Sequence, residues 1–555
     1  MAAQPLDAIL ADVVYDPFVA AEANEGGGQL DVHYAAPLVE DGAIYIEVKT
    51  GTYLPCPHPP SGAPCGAEAW DLQTWNVQKL MWQGGTLVPA WTFESDWKPE
   101  PNGGGALSGW EPVFHPVLAR GSLFVPGAGG TVFQVDKTTG RAAARINPFS
   151  TLDSSTFVAG GLAADDAGNI FYNAMRLDPF NAWGANVLGA WLVRIDTAGR
   201  TALVPFSSLA AGAPSATDPC EGVFGSPPPL PPSPTAKPPT SPCGSQRPGV
   251  NVIPAIAPDG TVYTLSRAHF NIRYGYLLAV NPNLTPRWSA SLRDFLDDGC
   301  EVLLPPNGTL GGCRAGAARG VDPATNNQPA GSVSDIATSS PVVAPDGAVL
   351  IGTTSGYNYF RGHLFKFSSA GLPLATYDFG WDSTPAIFTR GDSYSVLIKD
   401  NHYAVGSYCN DPTVCPPETG RYDFSSLNSN LAVEWHYTNT NTLSCRRLDD
   451  GSVFCALGEP DGFEWCINQP AVDARGVVYA NSEDGFLYAI GPDGTLREKI
   501  FLDLARGAAY TPVSIGPDGL VYAQNNGHLF AIGKASKSAP APVHRPHAPR
   551  TTSFR

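Results

Sequence analysis

The 555-residue sequence has no adjacent Cys-Cys pair, no Cys-x-x-Cys and no Cys-x-x-Cys-His. A zinc knuckle and a covalently attached haem are thereby excluded as its organising chemistry. It also lacks a Gly-x-Ser-x-Gly elbow, a His-Glu-x-x-His helix and a Walker loop, the local signatures of serine hydrolases, zinc proteases and nucleotide triphosphatases. Charged residues make up only 15% of the chain, and Lys+Arg number 34 against 51 Asp+Glu, for a formal net charge of −17. That balance argues against nucleic acid or an anionic membrane as the main partner. No apolar run approaches a membrane span. The first residues, MAAQPLDAIL, carry neither a basic n-region nor a long apolar h-region. Helix signals are almost absent.

Turn formers dominate instead, with 59 Gly and 53 Pro. An Asp-Gly turn or its equivalent recurs eight times between two short apolar strands. The copies are PLVEDGAIYI (37–46), PVLARGSLFV (116–125), LAADDAGNIFY (162–172), AIAPDGTVYTL (255–265), PVVAPDGAVLIG (341–352), AIFTRGDSYSVLI (386–398), AVDARGVVYA (471–480) and VSIGPDGLVYA (513–523). Third strands of one type follow several of them, such as YLLAVN (276–281), FLYAIG (486–491) and HLFAIG (528–533). Apolar runs bounded by Asp-Gly make tight antiparallel hairpins. Where nothing intervenes, as between Gly476 and Gly519 or Gly347 and Gly391, the spacing is that of one four-stranded propeller blade.

The pattern P-V-V-x-x-D-G-x-V-Y…G-x-L-Y-A-I resembles the repeats of the quinoprotein (PQQ) alcohol-dehydrogenase-like β-propeller superfamily, from about Asp31 to Gly533. The expected fold is all-β, an eight-bladed propeller with seven blades as the alternative. Residues 1–533 form one domain, and 534–555 a disordered, basic Pro/Ala-rich tail. The last copy ends without an outer strand, so ILADVVYDPFVA (9–20) is expected to supply it and close the ring. The resemblance also brings a possible dehydrogenase with PQQ and Ca²⁺. Its tryptophan-docking pattern survives only in fragments, however: VDKTTGRAAARI (135–146) has the turn without Trp, and AVNPNLTPRWSAS (279–291) has Trp288 without Thr-Gly. No cofactor and no metal are expected, with PQQ and Ca²⁺ as the alternative.

Ten of the eleven cysteines fall as local pairs within the long insertions. The expected disulfides are Cys56–Cys65, Cys220–Cys243, Cys300–Cys313, Cys409–Cys415 and Cys445–Cys455. Cys466 is left over, with Cys455–Cys466 as an alternative. Such pairing implies an oxidising compartment, hence a periplasmic or secreted protein whose signal peptide is not present in this sequence. Insertions are expected at 51–69, 175–189, 266–275, 353–362 and 400–427 between the second and third strands of blades. Others, at 97–110, 207–249, 293–337 and 440–466, lie between blades. In a propeller both kinds of connection lie on one face, so all the insertions and all the cysteines cover one mouth of the channel.

On that face, SRAHFNIRYGY (266–276) and TSGYNYFRGH (354–363) combine His, Arg and aromatics. Rings stack on sugars, Arg pairs with carboxylates, and His or Tyr moves protons. If the protein is an enzyme, His269, Arg273, Tyr276, Arg361 and His363 are the catalytic candidates. Tyr274, Tyr357, Tyr359, His402, Asp400 and Trp183 are candidates for ligand binding. The plainer reading is that these rings pack the inserted loops with Arg stacked over them. The expected function is a monomeric scaffold that binds a protein or polysaccharide through the insert-covered face. A quinoprotein dehydrogenase or a glycan-active lyase is the alternative.

Overall fold

Each Asp-Gly copy forms the turn between strands A and B of a four-stranded antiparallel sheet, with A innermost and D outermost. In the computed structural model eight such sheets, the third and fourth with one further short strand, follow one another around an axis: 38–94, 117–146, 156–205, 246–291, 342–380, 386–438, 471–501, and 514–533 joined by 8–14. They are blades 1 to 8, which excludes the seven-bladed alternative. The structure describes residues 1–534 except 55–67, 102–106, 108, 226–231, 295, 298, 303–312, 337–338, 355–360, 381–382, 403–420, 449, 461, 466, 505 and 507–509. At the turns, Gly takes a positive φ, as at Gly260 (80°) and Gly519 (81°), which it adopts without steric cost.

The ring closes as the sequence predicts. Ala8–Val14 pairs antiparallel with His528–Gly533 as the outer strand of blade 8. Closure puts the two ends of the propeller chain in one blade. The same chain end is pinned to blade 7, where Asp473 accepts from the Ala3 amide (3.0 Å) and Glu498 from the Leu6 amide (2.6 Å). Beyond the strand comes a seven-residue helix, Val19–Glu25, which the sequence reading does not foresee.

Tryptophan docking is present, but between blades rather than within repeats. Trp91 of blade 1 donates to the Lys137 carbonyl of blade 2, Trp288 of blade 4 to Ser369 of blade 5, and Trp435 of blade 6 to Pro492 of blade 7 (2.9–3.0 Å). Each indole lies against a turn glycine, Gly140, Gly371 or Gly494, where a Cβ would sit 2.6–2.9 Å from ring carbons. The fragments in the sequence are therefore halves of motifs shared by neighbours.

Two expected insertions shrink. Strand B of blade 4 (Val262–Ala268) and strand C (Asn271–Val280) leave only a tight turn at 269–270, so 266–275 is chiefly strand. In blade 6, strands Ser393–His402 and Arg421–Asn428 absorb both ends of 400–427. Disulfides join Cys220–Cys243, Cys300–Cys313 and Cys445–Cys455, which overturns the Cys455–Cys466 alternative. Cys56, Cys65, Cys409, Cys415 and Cys466 lie outside the described residues. No helix of the described residues is long and apolar enough to cross a membrane.

Candidate functional site

The insert-covered mouth of the channel is filled by the protein's own rings. The segment after the N-terminal helix carries His33 to the axis, where it stacks on Tyr510 (centroids 4.9 Å apart, planes 9° apart) and packs on Trp110 (4.8 Å). The Lys399 ammonium lies 4.7 Å from the Tyr510 ring centre, a cation–π contact. His33 Nδ1 is 2.8 Å from the Glu111 carbonyl and Nε2 is 3.1 Å from the Ile336 carbonyl. Two acceptors suit a protonated ring. Burial, reinforced by Lys399, outweighs them and pushes the imidazole down to about 4. The ring is therefore neutral at pH 7 and donates to only one of the two carbonyls.

Beside this stack lies a cavity of about 330 Å³ lined by His33, His115, Asn251, Thr384, Asn468, Gln469 and a ring of Ile, Val and Pro. A tricarboxylated quinone with calcium would need cations for its carboxylates and an open cradle of oxygens for the metal. None of the residues lining the cavity is Lys, Arg, Asp or Glu. Three carboxylates that hold the His33 segment already enclose a lysine. Lys49 Nζ is 2.8 Å from Asp16, 3.1 Å from Glu22 and 2.7 Å from Glu111. The residues present do not fit the quinone with its ion.

The lysine cage ties three parts of the chain together. Asp16 and Glu22 come from the N-terminal segment, Lys49 from strand B of blade 1, and Glu111 from the crossover to blade 2. Trp75 donates to the other Glu111 oxygen (2.7 Å) and Tyr34 to Asp16 (2.7 Å). Burial pushes the carboxyls of Glu22, Glu47 and Glu111 up, and Lys49 only partly opposes it.

A second buried cluster braces the inserts. Asp335, from the crossover between blades 4 and 5, accepts two parallel bonds from Arg247 (2.8 and 2.6 Å) and one from Arg267 (2.8 Å). Although burial opposes ionisation, the two guanidinium groups hold the Asp335 carboxyl at about 2. Arg247 also lies over Trp183 (5.4 Å) and donates to His269 Nδ1 (3.0 Å). His269 Nε2 donates to the Ala185 carbonyl (2.8 Å), so both ring nitrogens are used. Burial and the two arginines push this ring down to about 4.

Glu100 sits near this cluster with both carboxylate oxygens buried and without a hydrogen bond. Burial, with Asp335 adding to it, raises its carboxyl to about 8. A carboxyl protonated in the fold but not in the unfolded chain loses stability as pH rises from about 4 through that value. Glu100→Gln is therefore expected to melt increasingly above the wild type as pH goes from 5 to 9. Parallel melting curves across that range would reject this assignment.

The other residues singled out in the sequence are also engaged within the protein. Arg273 pairs with buried Asp322 (2.6 Å). Tyr274 accepts from the Glu221 amide (2.9 Å) and carries Arg293 over its ring (3.9 Å). Tyr276 is buried in the core. Trp183 donates to the Pro101 carbonyl. His363 is buried on strand C of blade 5. Tyr357, Tyr359 and the side chain of Arg361 lie outside the described residues. Of the enzyme set, His269 and Arg273 each face a different internal partner. Asp400 and His402 do meet, on strand B of blade 6 (2.6 Å). The residues the sequence reading passes over, His33, Lys49, Glu100, Glu111, Arg247 and Asp335, carry no local motif.

The inserts expose several large apolar side chains. Phe180 is 95% exposed, and Leu188, Val223 and Phe270 also face solvent. The stapled hairpin of strands Leu443–Arg447 and Val453–Leu457 stands apart as its own two-stranded sheet. Every residue of its second strand, VFCAL, is exposed.

No family model and no curated protein sequence matches the chain. Among solved structures, a europium-containing methanol dehydrogenase aligns with 88% of this chain and 82% of its own at 10% identity, with a TM-score of 0.47. BamB from Moraxella catarrhalis aligns with 91% of this chain and 96% of its own at 11% identity, with a TM-score of 0.37. The quinohemoprotein alcohol dehydrogenase from Comamonas testosteroni aligns with 91% and 75% at 11% identity, with a TM-score of 0.44. The fold, read from the strand pairing, is an eight-bladed β-propeller.

Proposed function

We propose that the chain is an extracytoplasmic binding scaffold that grips a protein or polysaccharide through its insert-covered face, acting as a monomer. The observation that carries this reading is the stapled hairpin 443–457. Its outer strand is apolar, exposed at all five positions and free of charge and proline. Folded proteins normally blunt such an edge, and exposed apolar surface of this kind marks interaction sites. The Cys445–Cys455 bridge holds the arm in shape, so little ordering is lost when a partner docks. Three disulfides in the inserts support an oxidising compartment. Among the described residues nothing favours the lyase alternative, since His269 and Arg273 are already bound to the protein itself.

The test is site-specific photo-crosslinking in the native compartment. A crosslinker at Leu457 is expected to give a discrete adduct, and one at Leu374, exposed on the opposite face, none. Replacing Phe454 and Leu457 together by Asp should abolish the adduct formed from Val453. The melting temperature should stay near that of the wild type, because exposed substitutions usually change stability by about 0.5 kcal/mol or less. Equal adducts from both faces, or none from either, would sink the reading.

A further inference from the structure

Away from the axis, blade 6 assembles a different kind of site. Asp400 pairs across strands with Asp423, Asp423 with Thr438, and Ser425 with His436. Residues in register or two apart share one face of a sheet, so these side chains converge. Asp400 and Asp423 are buried, while His436 stands at the solvent side with 34% of its side chain exposed. Its Nδ1 is 3.7 Å from Asp400 Oδ2 and 3.9 Å from Asp423 Oδ2. Among the described residues this is the one place where three His, Cys, Asp or Glu side chains bring ligand atoms within 4.8 Å of one another.

Those separations suit one ion. Zinc bound at about 2.0–2.2 Å from each ligand keeps neighbouring ligands roughly 3.3–3.6 Å apart, so a shift of a few tenths of an ångström brings these three atoms onto one ion. The carboxylates are also oriented as metal ligands usually are, by outer hydrogen bonds. Thr438 donates to Asp423 Oδ1 (2.6 Å), and Tyr377 of blade 5 and Ser425 both donate to Asp400 Oδ2 (2.6 Å each).

An independent observation points the same way. Asp400 Oδ1 is fully buried and accepts no hydrogen bond. The atom facing it, His402 Nε2 at 2.6 Å, is likewise without a hydrogen bond, because the contact lacks hydrogen-bond geometry. A buried carboxylate oxygen without a donor is costly. A cation held by the Asp400 carboxylate offsets that cost.

We propose that Asp400, Asp423 and His436 form a site for a divalent transition metal of the zinc class, with the fourth position open to water. Imidazole with carboxylate favours such an ion over calcium or magnesium, which take oxygen ligands. Arg421 is the built-in competitor. Its Nε lies 2.6 Å from Asp423 Oδ2, yet 56% of its side chain is exposed, so it can swing out. Metal binding exchanges this guanidinium for the ion.

The test uses the full-length protein stripped of metal by chelation. Zn²⁺ is titrated calorimetrically, and Co²⁺ is followed by its visible ligand-field absorption. The wild type is expected to bind one equivalent. Asp400→Asn and His436→Ala should each weaken binding by at least about a hundredfold, above the ten- to hundredfold effect of losing an outer partner, and change the cobalt spectrum. Arg421→Ala should bind several-fold tighter, a gain that damage to the fold would not produce. Absence of stoichiometric binding to the wild type, or equal binding by wild type and His436→Ala, overturns the proposal. So does weaker binding by Arg421→Ala.

Discussion

Lys49→Met is expected to cost the fold about 3–5 kcal/mol, the usual penalty for removing one partner of a buried ion cluster. Methionine keeps the length of the side chain but leaves Asp16, Glu22 and Glu111 without the ammonium that lies 2.7–3.1 Å from them. Glu47 feels the same loss, because Lys49 is the cation that lowers its raised carboxyl. The pH dependence follows from the direction of these shifts. Carboxyls whose folded pKa lies above the unfolded value bind protons in the fold, so stability falls as pH climbs through the folded values. Without Lys49 those values rise further. The deficit of the variant should therefore be larger at pH 8 than at pH 5, as read by urea unfolding at the two pH values. Equal deficits would show that the loss is one of packing alone. Because the cage anchors the segment that places His33, hydrogen exchange in residues 15–34 should accelerate as well.

Asp335→Asn is expected to cost a similar amount, about 3–5 kcal/mol, for the opposite reason: two buried guanidinium groups lose the anion they share. An amide can accept from one arginine but cannot neutralise two. In the wild type the Asp335 carboxyl is held at about 2, below the unfolded value near 4. Its contribution is fully present above about pH 4 and is lost as pH falls through about 2. The variant lacks that acid limb. Acid unfolding followed by circular dichroism should show the two curves converging below pH 3, whereas a constant offset down to pH 2 would reject the ion-pair account. Arg247 also bears on Trp183 and His269. Limited proteolysis of the variant should thus cut first in the inserts around 210–245.

How much of this was legible depended on distance along the chain. The Asp-Gly hairpins, the strand that closes the ring and the three observed disulfides each involve residues close in sequence or a strand left visibly unpaired. Alternation and turn chemistry report such features directly. Docking tryptophans were half legible, since Trp288 and Gly371 belong to different repeats and meet only when the blades stack. The stretch SRAHFNIRYGY was mistaken for a loop because its turn, His269-Phe270, has neither Gly nor Pro to punctuate it.

Residues chosen for their chemistry fared differently. His269, Arg273 and Tyr274 have the side chains a glycan site would use, and the fold spends them on Arg247, Asp322 and the 219–242 hairpin. Asp400 and His402 were noticed together, but Asp423 and His436 were not, since cross-strand register is invisible without the pairing of strands B, C and D.

By itself the sequence determined the repeat and the closing strand, because both follow from short-range backbone preferences repeated along the chain, while the structure decided between eight blades and seven. Only the tertiary structure decided which polar groups meet. Asp335 reaches Arg247 across 88 residues, and Lys49 reaches Glu111 across 62. Those meetings depend on how crossovers from different blades settle over one mouth. A buried charge takes its partner from whatever the packing brings within hydrogen-bond distance, not from its neighbours in the chain.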